Sequence, residues 1–284
     1  MKRMKTQIAA LMACLMIASS YAAAAVNDSA TSIKWGYKGE TGPAHWANLD
    51  PAFNLCAVGK NQAPINISTK KTKLSQITFS MQYQPITMKE IESGTTQVQI
   101  GHDFFIISDG HSVQMNVPAE QQARELLVIN NRLYRLLQFH FHTPSETELN
   151  KASLPAEIHF VHQGADGTLA VIAVFVKVGA ANHILQAIID NLPKQQGKEV
   201  SVDQPLDISH LIPAKKGAYY FAGSLTTPPC SEGVAWLVME DAITASSEQI
   251  AKLRAAANGA NARPVQPLNS RIIVTVGADN GKGA

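Results

Sequence analysis

Short runs in which apolar and polar residues alternate recur along the middle of the chain, roughly ten residues apart. Alternation of this kind is typical of strands that bury one face against a core. The runs lie at Gln97–Ile100, Phe104–Ser108, Val113–Val117, Arg132–Phe141, Ala156–His162 and Leu169–Val178. Turn-forming residues at 163–167 predict a hairpin loop between the last two strands.

Two stretches have the spacing of helices instead. In His183–Leu192, four apolar residues fall on one helical face. Ser246–Gln249 has the pattern of a capping box, in which a serine and a residue three positions later satisfy free backbone N–H groups. This pattern predicts a helix that runs through Ala257 and ends at Asn258-Gly259.

The chain is therefore expected to fold as one β-dominated domain, with a large, twisted, mostly antiparallel central sheet and a few peripheral helices. No linker, internal repeat or low-complexity tract divides it. A doubly wound sheet is disfavoured, because the strands do not alternate with long helical patterns. Apolar residues make up 45% of the 284 positions, which is enough to build a sizeable core.

The first 25 residues predict a secretory signal peptide, which leaves a mature domain at 26–284. A basic start precedes an apolar run from Ile8 to Ala18 and then small residues. The run is too short to cross a bilayer as a helix. We expect cleavage near Ala25 and a periplasmic or secreted protein. A lipoprotein cleavage box that ends at Cys14 is the alternative.

The net charge argues against polyanionic partners. The formal charge of +2 depends on the leader, since residues 26–284 carry 21 basic and 22 acidic side chains, a net charge of −1. No basic stripe remains to attract nucleic acid or an anionic membrane. We therefore expect no nucleic-acid partner and no membrane span.

The cysteines are consistent with export. Cys14 leaves with the leader, so Cys56 and Cys230 remain. One disulfide between them is the simplest expectation for an exported chain. Two separate buried thiols are the alternative.

Three histidines on two predicted strands have the pattern of a metal site. His140 and His142 share a strand face with Gln138, and His159 shares a face of the next strand with Glu157. Strands placed side by side would bring three imidazoles together, a ligand set that suits Zn²⁺ and leaves a fourth position for water. Gln138 and Glu157 would accept ring N–H bonds from these ligands. Three ordinary sheet histidines are the alternative.

The other histidines have no such pattern. His162 has the opposite parity on its strand and is expected to be structural. The remaining ones are expected to be surface or core residues: His45, His102, His183 and His210.

These strands carry a resemblance to a known family. QFHFHTPSE at 138–146 and AEIHFVH at 156–162 resemble the zinc site of the α-class carbonic anhydrases. Similar stretches follow the family's order over nearly the whole mature chain: WGYKGETGPAHW at 35–46, GKNQAPINI at 59–67, DGHSVQMNV at 109–117, GTLAVIAVFVKVG at 167–179, GSLTTPPCSEGVAW at 223–236 and RPVQPLNSR at 263–271. In bacterial members, two cysteines placed like Cys56 and Cys230 form a disulfide.

The resemblance implies reversible hydration of CO₂ to bicarbonate and a proton, by attack of a zinc-bound hydroxide. One Zn²⁺ per chain would be held by His140, His142 and His159. Thr226 would accept the proton of the hydroxide and donate its own to Glu146. The backbone N–H of Thr226 would hold a bicarbonate oxygen.

It also implies a substrate pocket and a proton carrier. An apolar wall would place CO₂ beside the hydroxide, with Thr227 on the same side and with Val161, Val171, Leu225, Val234 and Trp236 as its lining. His111 would carry the proton to buffer, because the pKa of histidine lies near the working pH. Waters for this transfer would lie near Tyr37, Asp109 and Gln114. A plain surface turn is the alternative for His111.

Three residues depart from the family pattern: Thr147, and Ala63 and Asn66, which replace the more usual Ser and Asp. Thr147 stands where the family usually has a histidine, and we expect lower rigidity or stability from this change. Glu148 follows closely, and a register in which it replaces Glu146 is an alternative. A zinc hydrolase of small esters and an inactive binding module are alternative functions. The three imidazoles would also accept Co²⁺ or Cu²⁺. For the oligomeric state, a homodimer is the alternative to a monomer.

Overall fold

Paired strands make up most of the structure, a computed structural model that describes residues 34–83, 104–119, 121–202 and 206–277. The leader predicted at 1–25 and the strand predicted at Gln97–Ile100 lie outside these ranges, as does His102. Among the described residues, no helix has both the length and the apolar character needed to cross a membrane.

The described residues form strands and α-helices with the following bounds. The strands are β1 (Asn66–Ile67), β2 (Lys73–Leu74), β3 (Phe79–Tyr83), β4 (Phe105–Ser108), β5 (Val113–Asn116), β6 (Glu125–Ile129), β7 (Arg132–His142), β8 (Glu148–Leu149), β9 (Ala152–Ser153), β10 (Ala156–Gly164), β11 (Leu169–Val178), β12 (Glu199–Ser201), β13 (Ala218–Ser224), β14 (Glu232–Met239), β15 (Ile243–Ala245) and β16 (Val274–Val276). The helices are α1 (Trp46–Leu49), α2 (Leu55–Val58), α3 (His183–Asp190) and α4 (Ser247–Ala256). The remaining predicted strands and both predicted helices are thereby confirmed.

Local sequence accounts for the two longer helices. Asn182 begins α3, because its side-chain oxygen accepts hydrogen bonds from the free N–H groups of Ile184 and Leu185. The predicted capping box of Ser246 and Gln249 is present at the start of α4. Beyond α4, Asn258 adopts a positive φ of 57°, and the Gly259 N–H bonds back to the carbonyl of Arg254.

The large sheet is mixed, with antiparallel pairing at most positions. Its main strand order is β12-β4-β5-β7-β10-β11-β14-β13-β16-β2, with β15 paired to β11 and the β3-β6 pair joined to β7. Parallel pairings join β11 to β14 and β15, and β16 to β2. The predicted hairpin between β10 and β11 is confirmed by the bond from the Gly164 N–H to the carbonyl of Thr168.

Both faces of the sheet's centre are buried. Along β11, Ile172 and Val174 belong to one apolar cluster, whereas Val171 and Phe175 belong to a second cluster across the sheet. The second cluster also contains Trp236. Because alternate side chains of one strand feed two cores, β11 is apolar almost throughout.

A β-bulge reverses the side-chain alternation along β7. Leu136 pairs with His162 and Gln138 pairs with Val161, so Leu137 is one extra residue on β7. Before the bulge, Leu136 faces the first apolar cluster, and after it Phe139 does so. The bulge therefore turns the residues at 138, 140 and 142 to the opposite face.

Candidate functional site

Strand pairing brings the three predicted metal ligands together. His159 of β10 lies directly across from His140 of β7, and Glu157 lies across from His142. One ring nitrogen from each histidine lies within 4.8 Å of the others, and His142 and His159 are buried. The expected convergence of the two strands is confirmed.

Hydrogen bonds orient two of the imidazoles, and a carboxylate faces the third. His140 Nδ1 donates to Gln138 Oε1 (2.8 Å), and His142 Nδ1 donates to the carbonyl oxygen of Asn261 (2.7 Å). His159 Nε2 lies 3.2 Å from Glu157 Oε1. The nitrogens left facing inward are therefore Nε2 of His140, Nε2 of His142 and Nδ1 of His159.

These inward nitrogens fit a metal ion. Burial lowers the pKa of all three imidazoles, so their neutral, ligand-competent forms are favoured. His142 Nε2 is buried and has no hydrogen-bond partner among the described residues. A buried polar nitrogen without a partner is costly unless something fills the position. Three neutral imidazoles with one open side form the donor set of a catalytic zinc site.

Glu146 lies beside these nitrogens. Its Oε1 accepts the backbone N–H of Arg263 (2.8 Å), and its Oε2 lies 3.4 Å from His142 Nε2. The Thr226 side chain hydrogen-bonds the same carboxyl group. Burial raises the pKa of Glu146 to about 8, although the bonds from Arg263 and Thr226 oppose this rise. A dication at the histidines would favour the ionised carboxylate.

The alternative register with Glu148 is wrong. Strand β7 ends at His142, so Glu146 lies in the following loop and shares no strand face with Glu148. Glu148 belongs to the small sheet, where it pairs with β1 and β9, and it is partly exposed. Glu146 is the buried carboxylate at the site.

Thr147 contacts the carboxylate that faces His159. Its backbone N–H donates to Glu157 Oε2 (2.8 Å), while Glu157 Oε1 faces the imidazole. Burial raises the pKa of Glu157 to about 7, and the bond from Thr147 opposes this rise. A main-chain contact therefore holds Glu157 although the usual histidine is absent. The lower rigidity or stability expected at this position stays a prediction.

The predicted apolar wall is one physical cluster. Val161, Val171, Val234 and Trp236 belong to the second apolar cluster, and Leu225 packs against it. The Trp236 ring lies edge-on to the His159 ring at 4.9 Å between centroids. The wall therefore borders the candidate metal position. Thr226 and Thr227 continue from Leu225.

His111 lies in a turn at the edge of β5. Asp109 Oδ1 accepts the backbone N–H groups of His111 and Ser112, and its Oδ2 lies 3.6 Å from His111 Nδ1. His111 Nε2 donates to the carbonyl of Trp35 (2.8 Å), and the ring stacks on the Trp35 indole at 4.0 Å. Asp109 above all raises the pKa of His111, and the Trp35 carbonyl adds to this rise.

The two further residues predicted near the proton path are placed as follows. Tyr37 lies edge-on to the rings of Trp35 and Trp46. Burial raises its pKa, and the charge of Glu146 adds to this effect. Gln114 of β5 lies across from His140, and its side-chain amide donates to Asn116.

His162 and the cysteines also match their expectations. His162 is fully buried between the Phe160 carbonyl and the Tyr83 hydroxyl, and burial lowers its pKa to about 3. Its structural role is therefore confirmed. Cys56 and Cys230 form a disulfide, which excludes separate thiols.

Sequence reasoning missed two residues of the site. Asn261 holds His142 through its backbone oxygen, and Arg263 holds Glu146 through its backbone N–H. Main-chain contacts of this kind have no residue-type signature. For Arg263 the available signal was the stretch 263–271, which resembles the family but whose residue types indicate no role at the site.

Comparisons with known proteins extend over most of the chain. The sequence model described as eukaryotic-type carbonic anhydrase matches residues 41–277. A carbonic anhydrase of Pectobacterium atrosepticum is 42% identical over 260 residues, which cover 92% of this chain and 96% of that protein. One of Neisseria gonorrhoeae is 38% identical over 275 residues, or 96% of this chain and 100% of that protein.

A similar solved structure also covers most of this chain. It is the α-carbonic anhydrase from Thermovibrio ammonificans in complex with the inhibitor sulfanilamide. The TM-score is 0.76 at 34% sequence identity, and the match covers 85% of this chain and 99% of that chain. The likeness therefore concerns the whole fold and not one motif.

Proposed function

The chain belongs to the eukaryotic-type (α) carbonic anhydrase family, and from this premise we propose that it catalyses the reversible hydration of CO₂ with one zinc ion. The observation that carries the proposal is the convergence of three inward ring nitrogens within 4.8 Å. His140, His142 and His159 would hold the ion. Gln138 and Asn261 already accept from the other nitrogens of His140 and His142, and Glu157 Oε1 lies 3.2 Å from that of His159.

The metal would supply Lewis acidity: it lowers the pKa of a water ligand from ~15.7 to about 7, a value established on carbonic anhydrases themselves. Hydroxide would then be available at neutral pH. CO₂ has no charge and few polar groups, so an apolar wall is a suitable binding surface. The wall beside His159, with Val171, Val234 and Trp236, supports this role.

Glu146 and Thr226 would orient the nucleophile. The Thr226 hydroxyl has one proton, and donating it to Glu146 commits the Thr226 oxygen to accept a proton from the oxygen that attacks CO₂. The backbone N–H of Arg263 donates to Glu146 Oε1, so the carboxylate cannot rotate freely. This chain of donors would aim a lone pair at the substrate.

His111 would pass the released proton to buffer. Its side chain is 31% exposed, which gives it access to solvent, and the hydrogen bond with Asp109 raises its pKa, which favours uptake of a proton. Water molecules near Tyr37, Asp109 and Gln114 would connect it to the metal position.

We expect that Asp109→Asn shifts the pH dependence of kcat to lower pH. The asparagine oxygen still accepts the two turn N–H groups, but the charge that raises the pKa of His111 is lost. The His111 imidazole then loses its proton at lower pH, so kcat rises at lower pH. Stopped-flow kcat values between pH 5.5 and 9 measure the midpoint.

Asp207→Asn is the matched control for this shift. Asp207 Oδ1 accepts the N–H of Ser209, and its Oδ2 lies 3.5 Å from His210 Nε2, so it repeats the same arrangement beside another histidine. The control should leave the kcat midpoint unchanged. An unchanged or higher midpoint in Asp109→Asn would contradict the assignment of His111.

We also propose that the protein works in an oxidising compartment, the periplasm or the exterior. The Cys56–Cys230 disulfide supports this placement, since such bonds persist outside the reducing cytosol. The leader predicted at 1–25 is consistent with it. The proposed partner is a small substrate, CO₂ or bicarbonate.

Metal removal tests the proposed function. The purified protein should contain about one zinc per chain and hydrate CO₂ in a stopped-flow assay with a pH indicator. Dialysis against dipicolinate should remove zinc and activity in proportion, and added Zn²⁺ should restore both. Full activity without metal, or stoichiometric zinc without hydration, would overturn the proposal. In the second case, a panel of small esters would test the hydrolase alternative.

A further inference from the structure

One buried asparagine joins the turn that carries His111 to the strand that carries the metal ligands. Asn261 is fully buried. Its side-chain nitrogen donates to the carbonyl of His111 (2.8 Å) and to the carbonyl of Phe141 (2.8 Å). Its side-chain oxygen accepts the N–H of Thr143 (2.8 Å). Both donors and one acceptor position of the amide are thus used.

The main chain of the same residue holds the metal ligand itself. The carbonyl oxygen of Asn261 accepts from His142 Nδ1 (2.7 Å). One residue therefore contacts the end of β7 on both sides of His142 and contacts the backbone of His111. Asn261 is thus a direct link between the ligand strand and the turn.

A second contact holds the His111 turn from its outer side. Gln196 Nε2 donates to the carbonyl of Asp109 (2.8 Å). A side chain at Gly110, whose φ is +88°, would place Cβ 1.9 Å from Gln196 Nε2, so the turn fits closely against this amide. Gln196 is exposed, and the neighbouring Gly197 N–H bonds to the carbonyl of Ser108.

We propose that Asn261 and Gln196 are positioning residues for proton transfer, because together they fix the backbone of the His111 turn relative to the end of the ligand strand. This inference rests on the proposed function, in which His111 carries the proton. Transfer through ordered water depends on the separation and alignment of donor and acceptor. Because Asn261 binds the carbonyl of His111 itself, a loose anchor moves the imidazole directly.

The role predicts a specific kinetic pattern. On the proposed function, proton transfer should limit kcat in weak buffer, whereas kcat/KM should report the attack on CO₂. Asn261→Ser should lower kcat in weak buffer about five- to ten-fold and leave kcat/KM within about two-fold. Gln196→Ala should lower kcat about two-fold in the same way. Added imidazole should restore kcat in both variants, because it replaces the misplaced carrier.

Amide hydrogen exchange tests the same role without an activity assay. Amide hydrogen exchange of the peptide that contains residues 109–112 should be faster in both variants, since each loses a bond to this turn. Zinc content should stay near one per chain, because the backbone oxygen that holds His142 remains. Asn191→Asp is the matched control: it removes an amide bond to the carbonyl of Ala187 on α3 and should change none of these values.

The variant His111→Ala tests the proton-carrier role of His111 separately from the positioning role of Asn261 and Gln196. It should lose kcat and regain it with imidazole. If it keeps full kcat, the proton-carrier role of His111 falls, and the positioning role falls with it. If it behaves as expected but Asn261→Ser has normal kcat, or has lost kcat/KM and zinc without imidazole rescue, Asn261 is merely structural. Should Asn261→Ser fail to fold, Gln196→Ala decides, and normal kcat in that variant overturns the proposal.

Discussion

The variant His142→Ala is expected to bind zinc at least ~100-fold more weakly than the native chain and to hydrate CO₂ no faster than buffer alone. Loss of an outer hydrogen-bond partner of a ligand already costs about 10–100-fold in metal affinity, so loss of a direct ligand should exceed that. His142 Nε2 is buried, and alanine at this position leaves two of the three converging ring nitrogens.

Zinc affinity is measured by competition with a chromophoric chelator, and hydration by stopped flow at matched protein concentration. His183→Ala is the control, because His183 is an exposed histidine at the start of α3. It should keep native affinity and rate. Native zinc binding or hydration in His142→Ala would show that the three-histidine site is not the catalytic one.

The central strands and the ligand face were predictable because both depend on local periodicity. The alternation around His140 and His142 places them on one face whatever the rest of the chain does. The same holds for Glu157 and His159 on β10. Their pairing in space required the further assumption that the two strands are neighbours, which the antiparallel register confirms.

The bulge at Leu137 marks the limit of this reasoning. A strict alternation carried from Tyr134 would place Leu136 and Gln138 on the same face, yet Leu136 faces the first apolar cluster and Gln138 faces the site. A bulge depends on how two strands meet, so one strand's own pattern does not contain it. The face of the ligands was predicted correctly because only residues beyond the bulge were used.

Loop and main-chain contacts were harder to predict from the sequence. The position of Glu146 depends on where β7 ends and on the backbone of Arg263, which is 117 residues away in sequence. Asn261 likewise meets Phe141 at a separation of 120 residues. Such pairings arise from tertiary folding and not from spacing. For Glu146 and Thr226, the family resemblance indicated roles that periodicity alone did not.

The double variant Cys56→Ser/Cys230→Ser is expected to lose about 2–5 kcal/mol of free energy of unfolding. The disulfide closes a segment of 174 residues. The chain-entropy model assigns such a loop ~5 kcal/mol, because the unfolded chain with the bond has far fewer conformations. Without the bond, the unfolded state gains this entropy while most native contacts persist.

Native contacts around the disulfide make the loss smaller than the full figure. Gln62 donates to the carbonyl of Cys230 (3.0 Å), and Arg263 donates to the carbonyl of Cys56 (3.1 Å). Both bonds use backbone oxygens that the serine variant keeps. Arg263 also donates to Gln62 Oε1 (2.9 Å), which links the loop of Thr226 to the segment that holds Glu146, so the folded variant should retain an ordered site.

Guanidinium chloride unfolding, followed by tryptophan fluorescence at equal zinc content, measures this difference. Equal zinc matters because a bound metal stabilises the folded state by its own binding free energy. The reductant-treated native protein should unfold at the same denaturant concentration as the double variant, and reductant should not affect the variant further. Equal midpoints for the oxidised native protein and the variant would show that the bond adds no net stability. The restraint on the unfolded chain would then be offset by strain in the folded one.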